Sequence, residues 1–363
     1  MRSYFFDPTY YYKVYFYILL IAVLFTIMYY IKNEFSNLSR EAFSKIVGYP
    51  FLFLVTFLIA FKPIYFLSGD IWGYINRFEN SKTQFYFDWT QSEKFFGYFT
   101  YSCSKVMIAE FYFAIMGCIY VLCIYFACLN WFKKNWFFPF IMLVCSFEFI
   151  NYANNGIRNG LGTSIFLFGM SRNNIYWKYF IFYIAMGVHK SLFLPMFGYT
   201  LTYLNKNSIN YIVFWFITIP LSLTNGEYFE AKLQEYYPDE KLNEYFQGYY
   251  DDMFAATGFR WDFVAYSFLG VFLGWYYIYY LKFKDVIYSK IYNTYLFVNG
   301  TWILIIGVSY TNRFAYLSWF FLGIVITYPI VKQNNLITRQ NHFYIAVLTI
   351  FAGFCFFKNR GIL

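Results

Sequence analysis

The chain has 363 residues, 60% of them hydrophobic and only 13% charged, with a mean hydropathy of +0.42. A soluble domain carries about 25% charged residues, so that class is excluded, and an aromatic content of 28% excludes disorder. The net charge of +9 is scattered between apolar runs without forming a patch, which argues against nucleic acid as a partner and for basic residues acting as orientation signals.

A helix needs roughly 20 apolar residues to cross a hydrocarbon layer of about 30 Å. Apolar windows predict an all-α, polytopic membrane protein with twelve crossings, near 13–31, 47–67, 107–131, 136–153, 157–171, 176–189, 190–204, 209–223, 262–281, 290–309, 314–331 and 341–357. No small-residue cleavage site follows the first run, so it reads as a retained span. The six cysteines show no CxxC spacing and read as reduced thiols within apolar runs. No internal repeat or linker interrupts the chain, and a single integral domain over 1–363 is the simplest expectation.

After the second run comes Gly69-Asp70-Ile71-Trp72-Gly73-Tyr74-Ile75-Asn76-Arg77, in the first of two long polar segments, 68–106 and 224–261. One helical turn would bring Tyr74 under Asp70. A solvated loop explains this string about as well as a site does. Glu110 and Glu148 fall inside the next apolar runs, where a carboxylate is expensive.

The fifth run opens with Gly156-Ile157-Arg158-Asn159-Gly160-Leu161-Gly162-Thr163-Ser164. Gly156, Gly160 and Ser164 repeat every four residues and would let a neighbouring helix come close. Arg158 keeps its charge and can grip two phosphate oxygens at once. An interfacial arginine that snorkels to headgroups is the plainer alternative. Further on, His189-Lys190-Ser191 interrupts an apolar stretch. A neutral imidazole there could accept a hydroxyl proton, and the Lys190 cation would favour the neutral form. It could equally be a structural histidine that orders the break before Pro195.

The second long segment carries Glu227, Glu230, Glu235, Asp239, Glu240, Glu244, Asp251 and Asp252, and ends at Arg260-Trp261-Asp262. A local ion pair is as good an account of that tripeptide as a site. Thr311-Asn312-Arg313-Phe314-Ala315-Tyr316 stands where one late span meets the next. Six short connections, 31–46, 132–135, 172–178, 205–208, 282–290 and 332–340, hold thirteen Lys or Arg against the acids Glu34, Glu41 and Asp285. Short basic loops stay cytoplasmic, so both long segments are expected outside. Asp70, Arg77, Arg158, His189, Arg260, Asp262 and Arg313 then share the outer face, an arrangement suited to an anionic ligand.

No nucleotide-binding loop, HExxH or GxSxG string is present. The available chemistry is a set of arginines with a histidine or carboxylate base. It suits a transfer reaction without metal or cofactor, whose substrate brings its own leaving group.

In order, Gly69-Asp70 with Tyr74, Glu93 before an aromatic stretch, Gly-Ile-Arg158-Asn-Gly-Leu, His189-Lys190-Ser191, Arg260-Trp-Asp262 and Asn312-Arg313-Phe-Ala-Tyr316 resemble the EpsG-type, Wzy-like (O-antigen) polysaccharide polymerases. They extend over about two thirds of the chain. Asn159 and Gly162 stand where members often have Gln and Ala. The resemblance implies a multi-pass protein of the bacterial inner (cytoplasmic) membrane, which joins oligosaccharide repeat units carried on undecaprenyl diphosphate at its outer face. It also implies membrane lipid and a chain-length regulator protein as partners. Under it, Arg158 and Arg313, with Arg260, Arg77, Lys190 and Tyr74, are expected to bind substrate, and His189 to act as base, with Asp70 or Asp262 as the alternative. An O-antigen ligase-like transferase, an acyltransferase and a transporter of an anionic lipid-linked glycan remain open as rival readings.

Overall fold

The apolar runs fold as helices, and among the described residues every regular element is helical. The computed structural model describes residues 8–32, 39–65, 69–90, 93–236, 258–308 and 311–358. In chain order the helices are α1 Tyr11–Lys32, α2 Arg40–Phe43, α3 Tyr49–Ala60, α4 Ile71–Thr83, α5 Lys94–Val106, α6 Ala109–Phe132, α7 Phe137–Val144, α8 Phe147–Asn154 and α9 Ile157–Met170. They continue with α10 Ile175–Val188, α11 Phe193–Leu204, α12 Ser208–Tyr236, α13 Trp261–Trp275, α14 Val286–Ile303, α15 Asn312–Trp319, α16 Leu322–Lys332 and α17 Gln340–Lys358.

This is an all-α, multi-pass membrane protein. Among the described residues, 7 helices are long and apolar enough to cross a bilayer, or 8 if the bent pair α7–α8 is one span. The expected count of twelve is not reached by this measure: α9, α10 and α11 are too short, and the 18-residue α14 is long enough but carries polar side chains such as Lys290, Asn293 and Asn299. At about 1.5 Å per residue, the 14-residue α9 and α10 each reach only about 21 Å. Segment 68–106 contains the amphipathic helices α4 and α5. In the second long segment α12 runs on to Tyr236, while Asp239, Glu240, Glu244, Asp251 and Asp252 lie outside the described residues.

The chain divides into two compact units, Met1–Phe193 with Ile330–Leu363, and Leu194–Pro329. In the first, α9 packs along α6 and α10, α3 along α6, and α1 along α17. Helices α7 and α8 meet at a bend of 69°. A break within a membrane leaves carbonyls that need donors, and side chains supply them. Tyr15 donates to the Val144 carbonyl at the end of α7 (3.4 Å), while Tyr120 and Tyr344 reach the carbonyls of Phe149 (3.0 Å) and Phe138 (2.7 Å) inside α8 and α7. Lys62, just past α3 and only 5% exposed, donates to the Ala153 carbonyl at the end of α8.

The second unit is stitched by polar side chains. Asn299 of α14 accepts from the Trp215 indole N–H (2.7 Å) and donates to Ser267 (3.0 Å) and Ser318 (2.9 Å), while the Trp319 indole N–H reaches Ser267 (2.7 Å). Four helices therefore meet on one buried network. Around it Tyr277, Tyr288, Tyr292 and Tyr295 donate to carbonyls of neighbouring helices at 2.7–2.9 Å. Asn299→Ala would strand the Trp215 donor in an apolar interior. The expected loss of stability is about 1–3 kcal/mol, to be read as a lower melting temperature in detergent, and an unchanged melt would contradict the network's role.

Candidate functional site

The first unit gathers its chemistry at the head of α9. Gly69 has φ +90, a left-handed conformation that favours glycine, and a Cβ there would lie 2.4 Å from Asn155 Oδ1. That close approach lets Asn155 Oδ1 accept from the Asp70 backbone N–H at 2.9 Å, which ties the start of α4 to the residues just before α9. Helix α4 buries Ile71, Ile75 and Phe78 in a cluster shared with Phe96, Tyr112, Ile157, Leu161 and Val188. Its amphipathic spacing thus fixes Tyr74 and Arg77 beside α5 and α9.

The ring of Phe96 is the hub. The Arg158 guanidinium lies 5.8 Å from its centroid and the Arg77 guanidinium 5.7 Å, both within cation–π range. Tyr74 meets the same ring edge-on at 5.9 Å. Burial pushes the Tyr74 hydroxyl up, against the opposing pull of the Arg158 charge and a hydrogen bond from the Arg158 backbone amide.

Glu93, absent from the expected site, holds this arrangement together. Its carboxylate is buried, with the residue only 5% exposed. Oε2 accepts from Arg158 Nη1, and Oε1 accepts from the Lys190 backbone N–H at 3.4 Å. One side chain thereby connects α5, α9 and the turn after α10. Arg158 Nε is buried and makes no hydrogen bond among the described residues. The sequence signal for Glu93 was an acid directly before an aromatic helix; its partner 65 residues away was not readable.

The glycine spacing of α9 serves close packing on two sides. A Cβ on Gly160 would meet Tyr152 of α8 at 2.6 Å, and one on Gly162 would meet Leu192 at 2.7 Å. The second approach presses the turn carrying His189 against α9. Helix α10 ends at Val188, and His189 is extended (φ −147, ψ 116). Its Nδ1 accepts from the Ser191 backbone N–H at 3.2 Å and lies 2.7 Å from the Ser191 hydroxyl. A backbone amide can only donate, so the neutral ring carries its proton on Nε2.

Asp70, Tyr74, Arg77, Arg158, His189 and Lys190 are thus brought into one unit around Phe96 and Glu93. Arg260, Asp262 and Arg313 belong to the other unit. There Arg260 Nε and Nη2 donate to the two Asp262 oxygens at 2.9 and 2.6 Å, and the guanidinium covers Phe263 at 3.8 Å. This local ion pair accounts for Arg-Trp-Asp without a ligand. Arg313 is half-buried in the first turn of α15. Glu110 proves exposed in the first turn of α6, while Glu148 is fully buried in the first turn of α8.

A family model described as the EpsG family matches residues 45–362. The chain belongs to the EpsG family. No curated protein and no solved structure matches it. The match takes in every helix of the site, from α4 to the turn after α10, and assigns this EpsG-family chain to the membrane-embedded polymerases of polysaccharide biosynthesis.

Proposed function

We propose that the protein polymerises oligosaccharide repeat units carried on undecaprenyl diphosphate, at the outer face of a bacterial inner membrane. A hydroxyl oxygen of the acceptor unit attacks the donor's anomeric carbon. The bond from that carbon to the phosphate oxygen breaks, and the lipid diphosphate leaves with the electron pair. The observation that supports this reading most is Arg158 at the head of α9, oriented by buried Glu93 through one nitrogen while Nε has no partner among the described residues. Such a guanidinium is preorganised for charge that grows on a leaving diphosphate, and Arg77 across Phe96 supplies a second cation. Diphosphate is a good leaving group in itself, so the chemistry calls for no metal.

In this proposal His189 donates from Nε2 to substrate, because Nδ1 is taken by the Ser191 amide. Asp70, one turn before Tyr74, takes the acceptor proton. Tyr74 and Lys190 line the substrate site.

Deletion in the native host tests the reading. Loss of long polymer with lipid-linked single repeats accumulating on the outer leaflet is the expected outcome. Accumulation on the cytoplasmic leaflet would indicate a transporter. Polymer that persists on its lipid carrier would indicate a ligase-type transferase.

A further inference from the structure

Next to Arg77, helices α4 and α5 enclose a half-open cavity of about 350 Å³, within the roughly 300–1,000 Å³ of small-molecule sites. Its position follows from the amphipathic pattern of α4. While Ile71, Ile75 and Phe78 face the core, Asn76, Asn80 and Gln84 recur every four residues on another face and line the cavity. Phe87 and Tyr101 form its aromatic walls. Lys105 closes the lower end of α4 by donating to the carbonyls of Ser81 (2.9 Å), Lys82 (3.0 Å) and Gln84, and Tyr101 donates to the Phe85 carbonyl at 3.0 Å. The walls are therefore held by hydrogen bonds that leave the amide groups of Asn76, Asn80 and Gln84 out of them.

The lining chemistry selects the ligand. Side-chain amides both donate and accept, which matches hydroxyl groups that do the same. The lining has no carboxylate and a single cation, Arg77, so its main complement is neutral and polyhydroxylated. Aromatic faces carry negative quadrupole density that attracts the C–H edges of a sugar ring, whereas an acyl chain would need an apolar lining. Arg77 also faces the Phe96 ring that Arg158 approaches. A ligand with its diphosphate on the arginines would have its sugars beside this cavity.

We infer that the α4–α5 cavity is a glycan subsite, holding sugar residues of the repeat unit while the arginines hold the diphosphate. This rests on the polymerase reading for the identity of the glycan. Gly73 provides a clean probe. It lines the cavity, and a Cβ added there would meet nothing within 4 Å, so a large side chain can fill the space without disturbing the helices.

The experiment is calorimetry on the detergent-purified full chain. The probe is the free repeat-unit oligosaccharide, released from the native lipid-linked precursor by mild acid. Wild type and Gly73→Ala should bind it alike. Gly73→Phe, and separately Asn76→Ala with Asn80→Ala, should weaken binding at least about tenfold, since each displaces or removes several hydrogen bonds to the sugar hydroxyls. Melting temperatures close to wild type would show that both variants fold. Binding that Gly73→Phe leaves unchanged, or no binding by the wild type, would overturn the subsite. Gly73-sensitive binding by a protein that forms no polymer would keep the subsite and refute the polymerase reading. Polymer formation with Gly73-insensitive binding would do the reverse.

Discussion

Arg158→Lys is expected to lower polymer formation by about 10²–10³, the usual loss when one preorganised donor to developing charge is removed. Lysine keeps the charge but not the planar fork, which engages Glu93 with one nitrogen and still presents part of the guanidinium outward. Arg158→Ala should do more than lose activity. It leaves the Glu93 carboxylate buried without its cation, and breaking such a pair costs about 3–5 kcal/mol, towards the lower figure here because the Arg158 side chain is 22% exposed. The alanine variant is therefore expected to melt early. Glu93→Gln combined with Arg158→Ala removes the uncompensated charge, so it should recover most of the melting temperature and none of the polymer. Wild-type turnover in Arg158→Lys, or activity in the double variant, would remove Arg158 from diphosphate binding.

The second large effect concerns His189. With Nδ1 occupied by the Ser191 amide, the ring can act as a donor from Nε2. His189→Ala should lower turnover about 10²-fold, and His189→Gln, whose amide also donates, should retain activity within about tenfold of wild type. A base would behave differently. Gln would be as poor as Ala, and wild-type turnover would rise with pH through the imidazole range near 6.5. Purified lipid-linked repeat units assayed from pH 5 to 8 separate the two. Gln as poor as Ala, together with that rise, would return the proton to His189 and release Asp70 from the role.

Hydropathy located the membrane helices because span length is a local property. Helices α1 and α6 lie within a few residues of the windows 13–31 and 107–131. It overstated their number because α9, α10 and α11 are short, a distinction that windows of about 19 residues blur, and because α14 is long enough but polar. The small-residue face of α9 was legible as close packing. That Gly160 receives α8 and Gly162 the His189 turn depended on chain brought back from elsewhere. The aromatic surplus was the least legible. It supplies buried donors such as Tyr292, which reaches the Val271 carbonyl at 2.7 Å over the face left open by Gly274. Glu93 escaped selection as a site residue because a buried ion pair between distant helices leaves no pattern in sequence. Asp262 and Arg260, by contrast, drew attention as neighbours and turned out to satisfy each other.

The central claim is glycosyl transfer with lipid diphosphate as leaving group, and reconstitution tests it most directly. Purified protein in liposomes would be given only undecaprenyl-diphosphate-linked repeat units, with and without a chelator. The account predicts a ladder of oligomers, one undecaprenyl diphosphate released per new linkage, and the same rate in both conditions. No ladder and no released lipid diphosphate from folded protein would contradict it, and a ladder that forms only when a divalent ion is restored would contradict the metal-free chemistry assigned to Arg158.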